Sequence, residues 1–254
     1  MIKIRLSFLF CFFFILFSRN IISACSNLND QKFTLITTLY NEKNETRINE
    51  YITCLEYNVS HPDINILHII YDTSKDSENE PENVLLNYLI TKDFKITYLD
   101  KRPTYGICFN LANNLYNNQN IILANADIYF NATLHKLINY NLTNTFLALT
   151  RWNVQKDGTL AIYKHGKSIN AISSQDAWIF KTPIRKFEND DIELGIRHCD
   201  GAIAHEAFKA KLRVINPCLS IQCCHLHASQ VRNYDQQAKP MYPIRTVKWS
   251  KLTS

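Results

Sequence analysis

The sequence predicts an α/β protein with a mostly parallel central sheet flanked by helices, and three observations predict it. Short β-branched or apolar runs alternate with amphipathic segments from Phe33 onward. The runs end on polar residues, and a chain of 254 residues with 46% apolar content can bury one sizeable core. A β-α-β-α-β-α-β order joins parallel strands through helical crossovers, and ligands then gather beyond the carboxyl ends of the strands.

The first strand is FTLITTLY, Phe33 to Tyr40. Asn44 then caps a helix whose apolar positions Ile48, Tyr51, Ile52, Leu55 and Val59 recur at helical spacing. INILHIIYD is the second strand and ends on Asp72, and SKDSENEPEN is a charged loop. VLLNYLITKD reads as a helix, FKITYLD as the third strand, YGICFNLANNLYNNQ as a helix, and NIILANADIYF as one continuous fourth strand. Beyond Thr133 the alternation fades. NTFLALTRW and DAWIFKTP read as strands, CDGAIAHEAFKAKL as a helix with Ile203, Ala207 and Phe208 inward, and RVINP as a short strand. No repeat or linker interrupts Phe33 to Tyr234, which predicts a single domain over residues 25–254.

The amino end carries Lys3 and Arg5, a run from Leu6 to Phe17 that is apolar except at Ser7, then Ser23 and Ala24. That is the pattern of an export signal over residues 1–24. The run is too short to cross a hydrocarbon core of roughly 30 Å, so the segment is expected to be cleaved, with a short membrane-attached anchor as the alternative. IISAC also has the form of a lipobox, in which Cys25 would be lipidated. Either route places the protein outside the cytoplasm or in the secretory pathway. Without residues 1–24 the charge falls from +5 to +2, with 25 Lys and Arg against 23 Asp and Glu. No nucleic-acid footprint survives that subtraction. Sequons stand at Asn44, Asn58, Asn131 and Asn141, in a chain rich in Asn.

Polar residues cluster at the strand ends: Asn41 and Glu42, Asp72, Asp100 with Arg102, then Asn125 and Asp127. There is no GxGxxG and no GxxxxGK[ST], and only five glycines, so side chains rather than a Gly-rich loop must hold a ligand. On an extended segment Asn125 and Asp127, at i and i+2, face the same way. A carboxylate there suits a divalent cation, and the cation suits a diphosphate. The alternative is a turn in which both residues satisfy backbone groups.

TTLYNE, a second strand ending in Asp72, YGICFNLANN and NADI together resemble the first half of GT-A glycosyltransferases, especially family-2-like enzymes. SQDAWIF, LGIRHCDGAIAHE and HLHASQVRNY look like acceptor-side motifs of a bacterial glycosyltransferase-like group, so the resemblance covers about residues 33–234. It implies the GT-A nucleotide-diphospho-sugar transferase fold. It also implies transfer of a sugar from a nucleotide-diphosphate donor to a hydroxyl on a glycan, protein or lipid, inverting by family default and assisted by Mn²⁺ or Mg²⁺. Carried over by position, Thr37, Tyr40, Asn41, Glu42 and Asp72 would line the base and ribose. Arg102 and Tyr105 would approach the base or diphosphate, and Asp127 would bind the metal. Asn125 departs from the first Asp of the DxD pattern and would instead hydrogen-bond donor hydroxyls. His227, with His225 as the alternate, would complete the metal shell.

CCHLH invites a zinc reading, but adjacent cysteines lack the spacing that lets two thiolates meet one tetrahedral ion. A disulfide from Cys223 or Cys224 to Cys199 or Cys218 is the expectation instead. An inverting transfer needs a general base. Asp200, just before a helix, is the first candidate, with an N-cap as its structural alternative, and Asp176 is the second. Trp152 and Trp178 are candidates to stack on sugar faces or to fill the core. Two other classes compete: a carbohydrate-binding protein of the same fold without turnover, suggested by Asn125, and a nucleotidyltransferase, disfavoured because TLYNEKNET carries no glycine.

Overall fold

The computed structural model describes residues 32–76, 83–92, 94–164, 171–172, 174–229 and 239–253. The expected export signal, Cys25 and the end of the late motif beyond Ser229 lie outside the described residues. Among the described residues no helix is long and apolar enough to cross a membrane.

Strands β1 (Phe33–Tyr40), β2 (Ile64–Asp72), β3 (Lys95–Leu99) and β4 (Asn120–Ala124) pair in parallel, in the order β4-β1-β2-β3. β5 (Ile128–Phe130), β7 (Trp152–Val154), β8 (Leu160–Ile162) and β12 (Cys223–His225) make a second, four-stranded sheet. β6 (Thr145–Leu149), β10 (Ala177–Lys181) and β11 (Arg213–Ile215) extend the first sheet to seven strands, ordered β11-β6-β10-β4-β1-β2-β3. Within this sheet, among the described residues, only β10 runs antiparallel to its neighbours. β9 (Ala171–Ile172) and β13 (Val247–Lys248) form a small separate pair.

Period-two alternation sorts the central strands between two cores. Leu35, Leu39, Ile69 and Ile122 face one side, where Ile48, Tyr51 and Leu55 of helix α1 (Glu45–Val59) and Leu85 and Leu89 of α2 (Val84–Ile90) meet them. Ile36, Ile70, Ile121 and Leu123 face the other, against α3 (Tyr105–Leu115) and α4 (Cys199–Lys209). Each buried Leu, Ile or Phe there contributes about 1.5–3 kcal/mol of transfer free energy. As expected, Asn44 caps α1 by accepting from the Arg47 amide. Thr104, which the sequence reading did not single out, caps α3 through the Ile107 amide. Gly106 is required by close approach, since a Cβ would stand 2.7 Å from Asp190.

Three local expectations are corrected. The stretch NIILANADIYF is two strands in different sheets, because a turn closed by Ile128 N to Asn125 O (3.1 Å) redirects the chain after Ala124. Phe208 does not point inward. It is 48% exposed, and the Arg245 guanidinium covers its ring at 3.7 Å. The six described cysteines, including Cys199, Cys218, Cys223 and Cys224, are free and buried, so the expected disulfide is not formed.

Candidate active site

A cavity of about 860 Å³ opens beyond the carboxyl ends of β1, β2 and β4, where the parallel order predicts a ligand. Tyr40, Asn41, Asp72, Arg102 and Asn125 line it, together with Asp127, His225, His227, Asp176 and Asp200. Three expected donor contacts do not reach it. Thr37 is buried in β1 and donates to the Ala124 carbonyl at 2.9 Å. Glu42 shapes the entry to α1, accepting from the Tyr40 hydroxyl (2.8 Å) and the Lys43 and Asn44 amides. Tyr105 is fully buried, edge-on to Trp178 with its hydroxyl 3.7 Å from the Cys199 sulfur, so it ties α3 to α4 rather than touching a nucleotide. Trp178 is likewise core, and the Trp152 indole donates to the Cys218 carbonyl outside the cavity lining.

At one part of the wall, the Asn125–Ile128 turn delivers Asp127 and strand β12 delivers His225. His227 follows two residues later, on the loop that leaves β12. One ligand atom from each of these three residues lies within 4.8 Å of the others. Among the described residues this is the one such His/Cys/Asp/Glu group, and it contains no cysteine, against the zinc reading of CCHLH. His225 Nε2 stands 3.1 Å from Asp127 Oδ2, and its Nδ1 stands 3.1 Å from Asn153 Oδ1. With Nδ1–H given to Asn153, the Nε2 lone pair faces the carboxylate, and a proton or a cation must lie between them. Asp127 Oδ1 is buried with no hydrogen-bond partner among the described residues. An orphaned carboxylate oxygen beside two imidazoles fits a divalent cation.

Sequence reasoning missed the residue that engages this group. Arg47, on the first turn of α1, places Nη2 2.7 Å from Asp127 Oδ2 and Nη1 2.8 Å from Glu50 Oε2, and Nη1 also meets His227 Nδ1. A signal was present, because a cation on the first turn of a helix opposes the macrodipole and needs another reason to be there. Burial alone would push the Asp127 carboxyl up, but His225 and Arg47 outweigh it and hold it well below the usual carboxylate range. Burial also pulls the Arg47 guanidinium down, and Asp127 more than restores it. His227 is lowered to about 4 by burial and by the charges of Arg47 and His225, so its ring is neutral at pH 7.

The other part of the wall is acidic. The Asp176 carboxylate accepts two bonds from Arg151 Nη1 at 3.1 Å and one from Asn125 Nδ2 at 3.3 Å, so the Asn125 side chain is held within the wall. Arg151, a second residue the sequence did not single out, stacks 3.8 Å over the Tyr163 ring. Asp200 lies in the first turn of α4 and is not its cap; that position belongs to His198, at φ 68°. Asp200 instead accepts from the Gln175 amide (3.2 Å) and the Cys199 thiol (3.0 Å). Burial, and secondly the charge of Asp176, raise its carboxyl to about 7.

No family model matches the sequence, and no curated protein matches it. Solved structures do match. GalNAc-T7 with UDP, GalNAc and Mn²⁺ aligns over 83% of this chain and 45% of its own, at 11% identity and TM-score 0.50. The fold is that of GT-A glycosyltransferases. Mannosyltransferase PcManGT from Pyrobaculum calidifontis, with GDP-Man and Mn²⁺, aligns over 80% of this chain and 58% of its own, at 16% identity and TM-score 0.47. TarS of S. aureus aligns over 80% and 60%, at 14% identity and TM-score 0.42. This chain therefore spans no more than about 60% of the length of these GT-A proteins.

Proposed function

We propose that this GT-A chain is a glycosyltransferase that moves a sugar from a nucleotide-diphosphate donor to an acceptor hydroxyl, with inversion. One observation carries the reading: three side chains that could hold a cation and a carboxyl raised to about 7 line the same cavity at the carboxyl ends of parallel strands. Tyr40, Asn41 and Asp72 would hold the nucleoside, and Arg102 would face the diphosphate. Asp127, His225 and His227 would hold Mn²⁺ or Mg²⁺. When bound, such an ion neutralises charge on the departing diphosphate.

Asp200 would take the proton of the acceptor hydroxyl as that oxygen attacks the sugar carbon from the face opposite the leaving group. A carboxyl titrating near 7 suits that task, because the ionised form is available while its basicity remains useful. Asp176, already paired with Arg151, is better placed to hold acceptor hydroxyls than to accept a proton. The export pattern of residues 1–24 extends the proposal to a secretory or extracytoplasmic site of action, with residues 25–254 as its one catalytic domain.

A sugar-binding protein without turnover is the second reading, favoured because Arg47 already engages Asp127. Release of UDP or GDP from a panel of nucleotide sugars, with Mn²⁺ and with chelator, separates the two. Metal-dependent release supports the transferase; tight binding with no release from any donor supports the second reading.

A further inference from the structure

The partners of Arg47 are the lone pairs that a metal would need. A guanidinium only donates, so His227 Nδ1, which faces Arg47 Nη1, must offer its lone pair, and Asp127 Oδ2 offers one to Nη2 at 2.7 Å. A guanidinium and a divalent ion cannot share that carboxylate oxygen at such range without strong repulsion. Arg47 has a third partner, outside the three-residue group that could hold a metal. Glu50, one turn along α1, holds Nη1 at 2.8 Å and anchors the histidine loop by accepting from the Ser229 amide (2.7 Å) and hydroxyl (3.1 Å). Arg47 also lines the cavity, with its guanidinium 4.8 Å over the Tyr51 ring.

We propose that Arg47 is an exchangeable internal cation, which holds Asp127 and His227 together without metal and which a divalent ion displaces toward Glu50 and the cavity. The idea rests on the metal-assisted reading above and goes further. The displaced guanidinium gains a new partner when an anionic diphosphate enters, so metal and nucleotide diphosphate bind with positive coupling, each raising the affinity of the other. Bidentate pairing of Arg with phosphate oxygens is the chemistry that would supply it.

The test is Mn²⁺ binding followed by electron paramagnetic resonance, on the full chain and on Arg47→Met, with and without UDP. Mn²⁺ alone should bind Arg47→Met at least tenfold more tightly, and UDP should enhance Mn²⁺ affinity more in the native protein than in the variant. Equal or weaker Mn²⁺ binding by a folded Arg47→Met overturns the proposal while leaving the metal reading intact. If neither protein binds Mn²⁺ even with UDP, both fall. Should Arg47→Met not fold, the native protein gives its own answer by nuclear magnetic resonance. The Arg47 Nε–H resonance, assigned by its loss in Arg47→Lys, should shift and exchange faster on Mg²⁺ saturation. An unmoved resonance at saturating Mg²⁺ overturns the displacement.

Discussion

Two carboxylates on the wall of one cavity, Asp127 and Asp200, are treated in opposite ways. Asp127 is surrounded by His225 and Arg47, which outweigh its burial and keep it ionised. Among the described residues no cation pairs with Asp200; burial and the nearby charge of Asp176 raise it to about 7. The difference follows from which elements arrive. The amino end of α1 brings a guanidinium to the first, whereas the second meets a thiol from the start of α4 and the Gln175 amide from the approach to β10. One acid is thereby suited to hold a cation and the other to exchange a proton.

The comparison breaks most completely at Asp127. Asp127→Asn should abolish Mn²⁺-dependent binding of UDP or GDP, measured by calorimetric titration, and with it any transfer. It should also cost about 3 kcal/mol of stability, the low end for removing one partner of a buried pair, because Glu50 still faces Arg47. Retained metal-dependent binding would remove Asp127 from the site.

Asp200→Asn should leave nucleotide binding within twofold and reduce transfer by about 10²- to 10⁴-fold, the range for loss of a general base. Transfer by the native protein should rise with pH through about 7, as Asp200 ionises. Stability should move the other way. The folded carboxyl binds its proton more tightly than the unfolded one, so this contribution is full below pH 4 and is lost as pH rises through about 7. Because His227 and His68, both lowered to about 4, add stability over the same range in both proteins, the test by denaturant titration is the difference: between pH 5 and pH 8 the native protein should lose roughly 2–4 kcal/mol relative to Asp200→Asn. Parallel profiles in the native protein and Asp200→Asn would show that Asp200 is ionised throughout, like Asp127.

The parallel half was legible because its signals are local. β-branched runs, the Asn44 cap and helical spacing over Ile48, Tyr51 and Leu55 each constrain a few neighbouring residues, and the elements form where they predict. The turn at Asn125-Ala126-Asp127 was legible as an alternative, but continuous hydrophobicity on both sides favoured one strand over two strands in different sheets. The roles of Tyr105, Arg47 and Arg151 were not legible in the same way. Tyr105 looks polar enough for a ligand until α4 covers it, and Arg47 meets His227, 180 residues away, only through the fold. Asp200 was found as a candidate through its place beside a helix. Its raised affinity for a proton depends on burial and then on Asp176, which the approach to β10 brings near.

That last dependence gives the smallest and sharpest measurement. Asp176 contributes a like charge to Asp200 and an acceptor to Arg151. Asp176→Asn keeps the shape and removes the charge, so the pH midpoint of transfer should move down by about one unit, equivalent to about 1.4 kcal/mol. Arg151 would lose its partner and the fold some stability, which a denaturant midpoint reads separately. A lower rate with an unmoved midpoint would mean that burial alone sets Asp200. A downward midpoint would show the two acids coupled, with Asp176 tuning the base while its own charge stays committed to Arg151.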